Sequence, residues 1–162
     1  MNGNVVGNWS LSLGRWRHTE WRLHVHFPLL AIAASYSAWL GLATYRQASI
    51  ALACVFVSVL VHELVRKTIA QRMGGRFHVM VMGPLGGWTQ PELPNDPPPQ
   101  LFTALSGPTT YLALAVSVAC ALTVGGDADT LRLLSPLAPH LSPNATWWRA
   151  IGEEMVWVNS IL

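Results

Sequence analysis

His62 and Glu63 follow directly on an apolar run that is typical of a membrane helix. Ionisable side chains are costly at membrane depth, so their presence there indicates a function. The pair is also the first half of the pattern H-E-x-x-H, in which two histidines on one helix face bind zinc and the glutamate acts as general base. Position 66 holds Arg66 instead of the second histidine. A guanidinium offers no lone pair to a metal, and its charge opposes a nearby dication.

Two interpretations of this pair remain open. In the first, His62 and Glu63 belong to a metal centre. In the second, they cap a helix end in a polar turn, and Glu63 pairs with Arg66 three residues later, which stabilises a helix by about a few tenths of a kcal/mol. Spacing alone favours the second interpretation.

His24 and His26 are further candidates for metal ligands. Residues i and i+2 point the same way on a strand, so the two imidazoles could chelate a metal, with His62 as a third donor. The alternative is that both belong to the polar face of a strand, and the pattern favours that alternative.

Composition predicts a polytopic membrane protein. Only 11% of the 162 residues are charged, against roughly 25% in soluble domains, and 51% are apolar. This length is typical of one domain. A net charge of +2 gives no reason to expect nucleic acid as a partner, whereas membrane lipid is expected. Both cysteines, Cys54 and Cys120, lie inside apolar runs and are interpreted as core residues.

Three segments are long and apolar enough to span a bilayer, which takes about 20 residues. They are 27–44, 48–65 and 101–124. A fourth apolar segment, 153–162, is too short to cross and is interpreted as a truncated helix. The sequence therefore predicts three full transmembrane helices and a partial fourth.

The basic residues predict the orientation of these helices. Seven of the ten Lys and Arg residues flank the spans on one side, and this excess marks the cytoplasmic side. A cytoplasmic N-terminus follows. The seven residues are Arg15, Arg17, Arg22, Arg66, Lys67, Arg72 and Arg76.

The segments outside the spans contain strand and loop signals. Alternating apolar and polar residues predict that 1–26 forms a β-hairpin arm that turns near Gly14. Residues 77–87 predict a strand that ends in a glycine-rich turn, and 88–100 predict a proline-rich linker. The predicted fold class is mainly α, a membrane protein with short β-strands at the cytoplasmic face.

Four segments follow one another in a recognisable order. They are Val61–Leu64 (VHEL), Ile69–Gly75 (IAQRMGG), Met82–Gly87 (MGPLGG) and Ser106–Thr110 (SGPTT). In this order, together with His26 before the first span, the chain resembles the site-2 proteases, which are intramembrane zinc metalloproteases. The resemblance covers residues 14–162.

The resemblance implies hydrolysis of a peptide bond in or near a membrane helix by zinc-activated water. By this resemblance, His62 would be a zinc ligand and Glu63 the catalytic base. The turn formed by Pro84, Gly86 and Gly87 would contact an extended peptide segment of a membrane-protein substrate.

The chain departs from the family pattern at three points. Arg66 replaces the second histidine, Thr110 replaces an expected asparagine, and the aspartate of the family's Leu-Asp-Gly motif is absent. These departures predict that zinc is not retained and that the protein is an inactive relative. One alternative is a non-catalytic membrane module that binds an extended peptide or partner protein through the strand edge near Val79–Gly87. Another is a gene fragment without a function of its own.

Overall fold

The computed structural model describes residues 9–16, 19–88, 91–125 and 145–162. These residues are mainly helical, with four helices and one small sheet of four strands, as the sequence predicts. The predicted hairpin arm and linker each lie partly outside the described residues. In chain order the elements are β1 Ser10–Trp16, β2 Thr19–His24, α1 His26–Trp39, α2 Tyr45–Arg72, β3 Val79–Gly83, β4 Gly86–Gly87, α3 Pro97–Val124 and α4 Trp147–Ile161.

The chain divides into two compact units, whereas its length alone predicts one domain. The first, here called the sheet unit, comprises Met1–Ala31 and Val59–Gly107. The second, here called the helical unit, comprises Ile32–Ser58 and Pro108–Leu162. Each unit is described by itself.

The sheet lies wholly in the sheet unit and has the strand order β1-β2-β3-β4. β1 and β2 are antiparallel, β2 and β3 are parallel, and β3 and β4 are antiparallel. The parallel pair aligns Trp21 with Met80 and Leu23 with Met82. β3 therefore has a neighbour on each side, and the outer strands of the described sheet are β1 and β4.

The predicted turn near Gly14 is wrong. β1 continues through Gly14 to Trp16, and Gly14 pairs with Trp21 of β2. Gly14 has a φ of +121° and lies where the pairing register shifts, after Ser12. An isolated glycine inside a strand commonly marks a β-bulge, so this glycine bends the strand instead of ending it.

Among the described residues, two helices are long and apolar enough to cross a membrane, namely α2 and α3. Each has 28 residues and extends beyond its predicted span. The predicted span 27–44 corresponds to α1, which has only 14 residues, so the count of three full spans is not confirmed. α3 begins at Pro97, within the predicted linker 88–100, because proline is well tolerated in the first turn of a helix.

The helical unit is held together by close packing of α3 against α4. Leu122 and Val156 are almost fully buried and belong to one apolar cluster with Ala119. Gly152 permits this approach, since a Cβ atom at that position would lie 2.8 Å from the Leu122 side chain. α4 begins at Trp147, six residues before the predicted start at residue 153.

Polar contacts join α2 to α4 in the same unit. The Asn159 side-chain amide donates to the Ser58 hydroxyl at 2.8 Å and to the Met155 carbonyl at 2.7 Å. The Ser58 hydroxyl also lies 3.4 Å from the Met155 sulfur. Ser58 and Asn159 are both buried, so these hydrogen bonds are shielded from competing water.

Replacing Asn159 with leucine is expected to destabilise the helical unit by about 1–3 kcal/mol, because the buried Ser58 hydroxyl loses its amide partner. Thermal unfolding in detergent can be followed by the reaction of buried Cys54 with a thiol dye, in a Cys120→Ser background. Ser160→Ala is the matched control, since the Ser160 hydroxyl bonds the Trp157 carbonyl of its own helix. Equal melting temperatures for Asn159→Leu and the control would contradict this role.

Candidate functional site

His62 and Glu63 lie inside α2, not at its end. The helix continues to Arg72, so the interpretation of the pair as a helix-end cap is wrong. Glu63 is fully buried and His62 is 8% exposed. The His62 Nδ1 atom lies 3.4 Å from the Glu63 Oε1 atom. Burying a charged carboxyl group away from water costs free energy, so nearby groups must pair with it or bond to it.

Arg66 supplies part of that compensation. Its Nη1 atom lies 3.8 Å from Glu63 Oε1, so the predicted i,i+3 pair is present. The same Nη1 atom donates a hydrogen bond to the Gly87 carbonyl at 3.4 Å. Neither Glu63 oxygen accepts a hydrogen bond of good geometry from the described residues. Arg66 therefore connects the buried carboxyl group to strand β4.

The glycines of β4 make room for Glu63. A Cβ atom on Gly87 would overlap the Glu63 carboxyl group, so only glycine fits against this side chain. Gly86 has a φ of +122°, a conformation that residues with a side chain rarely adopt. Pro84 lies in the turn between β3 and β4. The structure thus brings Gly87, one of the three predicted peptide-contacting residues, against the predicted catalytic base.

Helix α3 approaches the site through Gly107. A Cβ atom on Gly107 would lie 3.1 Å from the His62 Nε2 atom. Small residues let two helices approach closely, and Gly107 has this role where α3 meets α2. The His62 side chain therefore lies between the backbones of α2 and α3.

His24 and His26 form an aromatic stack with Trp88. The two imidazole rings lie 4.4 Å apart, and the His24 ring lies 4.8 Å from the Trp88 ring at an interplanar angle of 11°. Burial lowers the pKa of His24, and the charge of neighbouring His26 lowers that pKa further. The faces of these imidazoles are therefore used for packing. Gly83 accommodates the indole, because a Cβ atom there would overlap the Trp88 ring.

Potential metal donors do not cluster in the described residues. In the described parts of the chain, no three His, Cys, Asp or Glu side chains are grouped to hold a metal ion. His24, His26 and His62 therefore do not form the three-histidine site considered from sequence. At the position of the second histidine, Arg66 provides a permanent cation and no lone pair.

Trp88 and Gly107 are site residues that sequence reasoning did not identify. A tryptophan one residue after a Gly-Gly strand gives no signal that it will stack on His24, because this contact depends on the parallel pairing of β2 with β3.

No protein-family model matches this sequence, and no curated protein sequence matches it. Among solved structures, the fold is similar to that of a site-2 protease from Methanocaldococcus jannaschii, with a TM-score of 0.65 and 16% sequence identity. The similarity covers 94% of this chain and 63% of that chain. The present chain thus spans 63% of the length of that protein. At this identity the likeness establishes the fold: the chain is site-2-protease-like in architecture.

Gly87→Ala is expected to destabilise the sheet unit by about 1–3 kcal/mol, the usual cost of overpacking. The added methyl group would displace either the Glu63 carboxyl group or strand β4. The melting temperature, measured by circular dichroism in detergent, reports the effect. Leu85→Ala is the control, since Leu85 lies in the adjacent turn and is 78% exposed.

Glu63→Ala provides the complementary test, because it removes the carboxyl group that the Gly87→Ala methyl would meet. The double variant is expected to lose less stability than the sum of the two single variants. Strict additivity would show that the two positions are not in contact.

Proposed function

We propose that this chain is a site-2-protease-like membrane protein that does not hydrolyse peptides at His62 and Glu63. The observation that carries the proposal is the position of Arg66, which faces Glu63 and bonds the Gly87 carbonyl. In the zinc motif this helical position provides an imidazole ligand. Here it provides a cation, so one metal-binding donor is replaced by a group that repels the metal.

The surroundings of Glu63 support the same proposal. A general base must reach the proton that it abstracts, directly or through one water molecule. The Glu63 carboxyl group is fully buried, and it packs against the Gly87 backbone and near the Arg66 guanidinium. These contacts favour a role for Glu63 in packing and charge neutralisation.

Zinc affinity tests this proposal directly. The metal-free protein in detergent is expected to take up less than one zinc ion per chain, and Arg66→His should raise the affinity by at least about tenfold, the lower limit for a group that supports a metal site. Arg66→Lys is the matched control, because it keeps the positive charge and should leave affinity unchanged. Calorimetry and metal analysis measure both quantities.

Two results together would overturn the proposal. The unsubstituted protein would bind stoichiometric zinc, and it would cleave a membrane peptide in a reaction that is lost in Glu63→Gln.

A second candidate function is capture of an extended peptide, supported by the position of β4. β4 is an outer strand of the described sheet, and its Gly87 lies against Glu63. The sequence predicts a binding edge near Val79–Gly87. β3 is flanked by β2 and β4, so the edge that remains for an added strand is that of Gly86 and Gly87, where a peptide would compete with Arg66 for the Gly87 carbonyl.

Peptide capture is expected to depend on backbone hydrogen bonds. An extended apolar peptide should lose binding when alternate amides that face β4 are N-methylated, because strand addition uses main-chain donors. Methylation of the intervening amides is the control. Fluorescence anisotropy of the labelled peptide measures binding, and equal binding of both methylated peptides would refute strand addition.

We propose that this protein lies in a membrane and that α2 and α3 cross it, because their exposed apolar surfaces match lipid. The basic residues around the spans favour a cytoplasmic N-terminus and a cytoplasmic sheet. Membrane lipid is accordingly the proposed partner of these two helices.

A further inference from the structure

The outer strand β1 exposes an unusual amount of apolar side chain. Each large apolar residue in and just before β1 is more than half exposed, although β2 beside it buries Trp21. Exposed apolar clusters of this kind commonly mark interaction surfaces. The residues are Trp9 (66%), Leu11 (61%), Leu13 (56%) and Trp16 (55%), here called the hairpin surface.

The pairing register gives the hairpin two different faces. Leu11 pairs with Leu23, and Trp16 pairs with Thr19 on the face that includes Trp21. The Trp16 and Trp21 rings lie 6.1 Å apart, in agreement with this assignment. Ser12 and Arg15 belong to the other face, opposite Arg22 and Glu20. Among the paired residues of β1, the large apolar side chains therefore share one face and Ser12 and Arg15 the other, while Leu13 lies at the register shift.

Among the described residues of the sheet unit, the inner part of the apolar face is the part that is buried. The Trp21 ring is buried, and the Lys67 ammonium of α2 lies 5.5 Å from its centroid. Trp16 lies on the same face as Trp21 but is exposed at the surface. The apolar face thus extends from the packed part of the unit to its surface.

We propose that the hairpin surface binds the surface of a phospholipid bilayer. Tryptophan is enriched where a membrane meets water, because its large ring is apolar and its N–H group is polar. Leu11 would add apolar area at the acyl boundary. Arg15 is exposed on the polar face and has a chain long enough to reach lipid phosphate. This inference rests on the proposed membrane location of α2 and α3.

A second copy of this chain fits β1 less well than lipid does. Edge-to-edge pairing needs a regular row of backbone donors and acceptors. The register of β1 shifts between Ser12 and Gly14, and Gly14 has a φ of +121°. Bulges and charged residues such as Arg15 are devices that protect edge strands from pairing.

Spin labels can locate the hairpin surface relative to lipid. Cysteines are introduced singly at Leu11, Ser12 and Val57 in a Cys120→Ser background, while Cys54 is only 3% exposed and stays unlabelled. The full chain is reconstituted in nanodiscs of phosphatidylcholine with a minority of phosphatidylglycerol. Collision with oxygen, which concentrates in lipid, is compared with collision with a water-soluble nickel complex.

The Leu11 label is expected to favour oxygen over nickel, as the Val57 label on exposed apolar α2 does, whereas the Ser12 label one residue away favours nickel. Similar nickel accessibility at Leu11 and Ser12 would overturn the inference. If Val57 alone favours oxygen, the membrane location holds and only the hairpin proposal fails; if Val57 favours nickel, both fail. Spin–spin broadening at Leu11 that disappears on dilution with unlabelled protein would assign the surface to a second copy instead.

Discussion

The buried carboxyl group of Glu63 is the constraint on which the sheet unit depends. Isolated charge in a protein interior is strongly unfavourable, so a buried carboxyl group requires a cation, a proton or polar partners close by. Arg66 provides the cation from the same helix. Because Arg66 also bonds the Gly87 carbonyl, the group that neutralises Glu63 also fixes strand β4. Helix α2 and the edge of the sheet are thus joined by one side chain.

The glycines around the site follow from this arrangement. Gly87 lacks a side chain because the Glu63 carboxyl group occupies that space, and Gly107 lacks one because His62 lies there. In β3, Gly83 leaves room for the Trp88 ring, which stacks on His24. An ion pair and close backbone packing thus join α2 to β4, and close packing at Gly107 joins α2 to α3.

The sequence predicted which segments form strands and helices better than it predicted where those elements turn and end. The predicted strand and turn at 77–87 correspond to β3 and β4, and two of the predicted spans correspond to α2 and α3. The turn near Gly14 was wrong, because a single glycine has the same local signal in a bulge and in a turn. The extent of α2 beyond residue 65 was missed, since a polar helical turn that packs on a sheet no longer looks apolar.

The sequence by itself determined that Glu63 and Arg66 would be neighbours in any helix that includes both, because residues three apart lie one turn from each other. It also determined that Arg66 cannot bind a metal, since that follows from guanidinium chemistry alone. Only the tertiary structure decided that Gly87 and Gly107 meet this helix and that His24 and His26 stack on Trp88 instead of approaching His62. These contacts join residues far apart in sequence, and their positions depend on strand register and helix packing, which no local pattern contains.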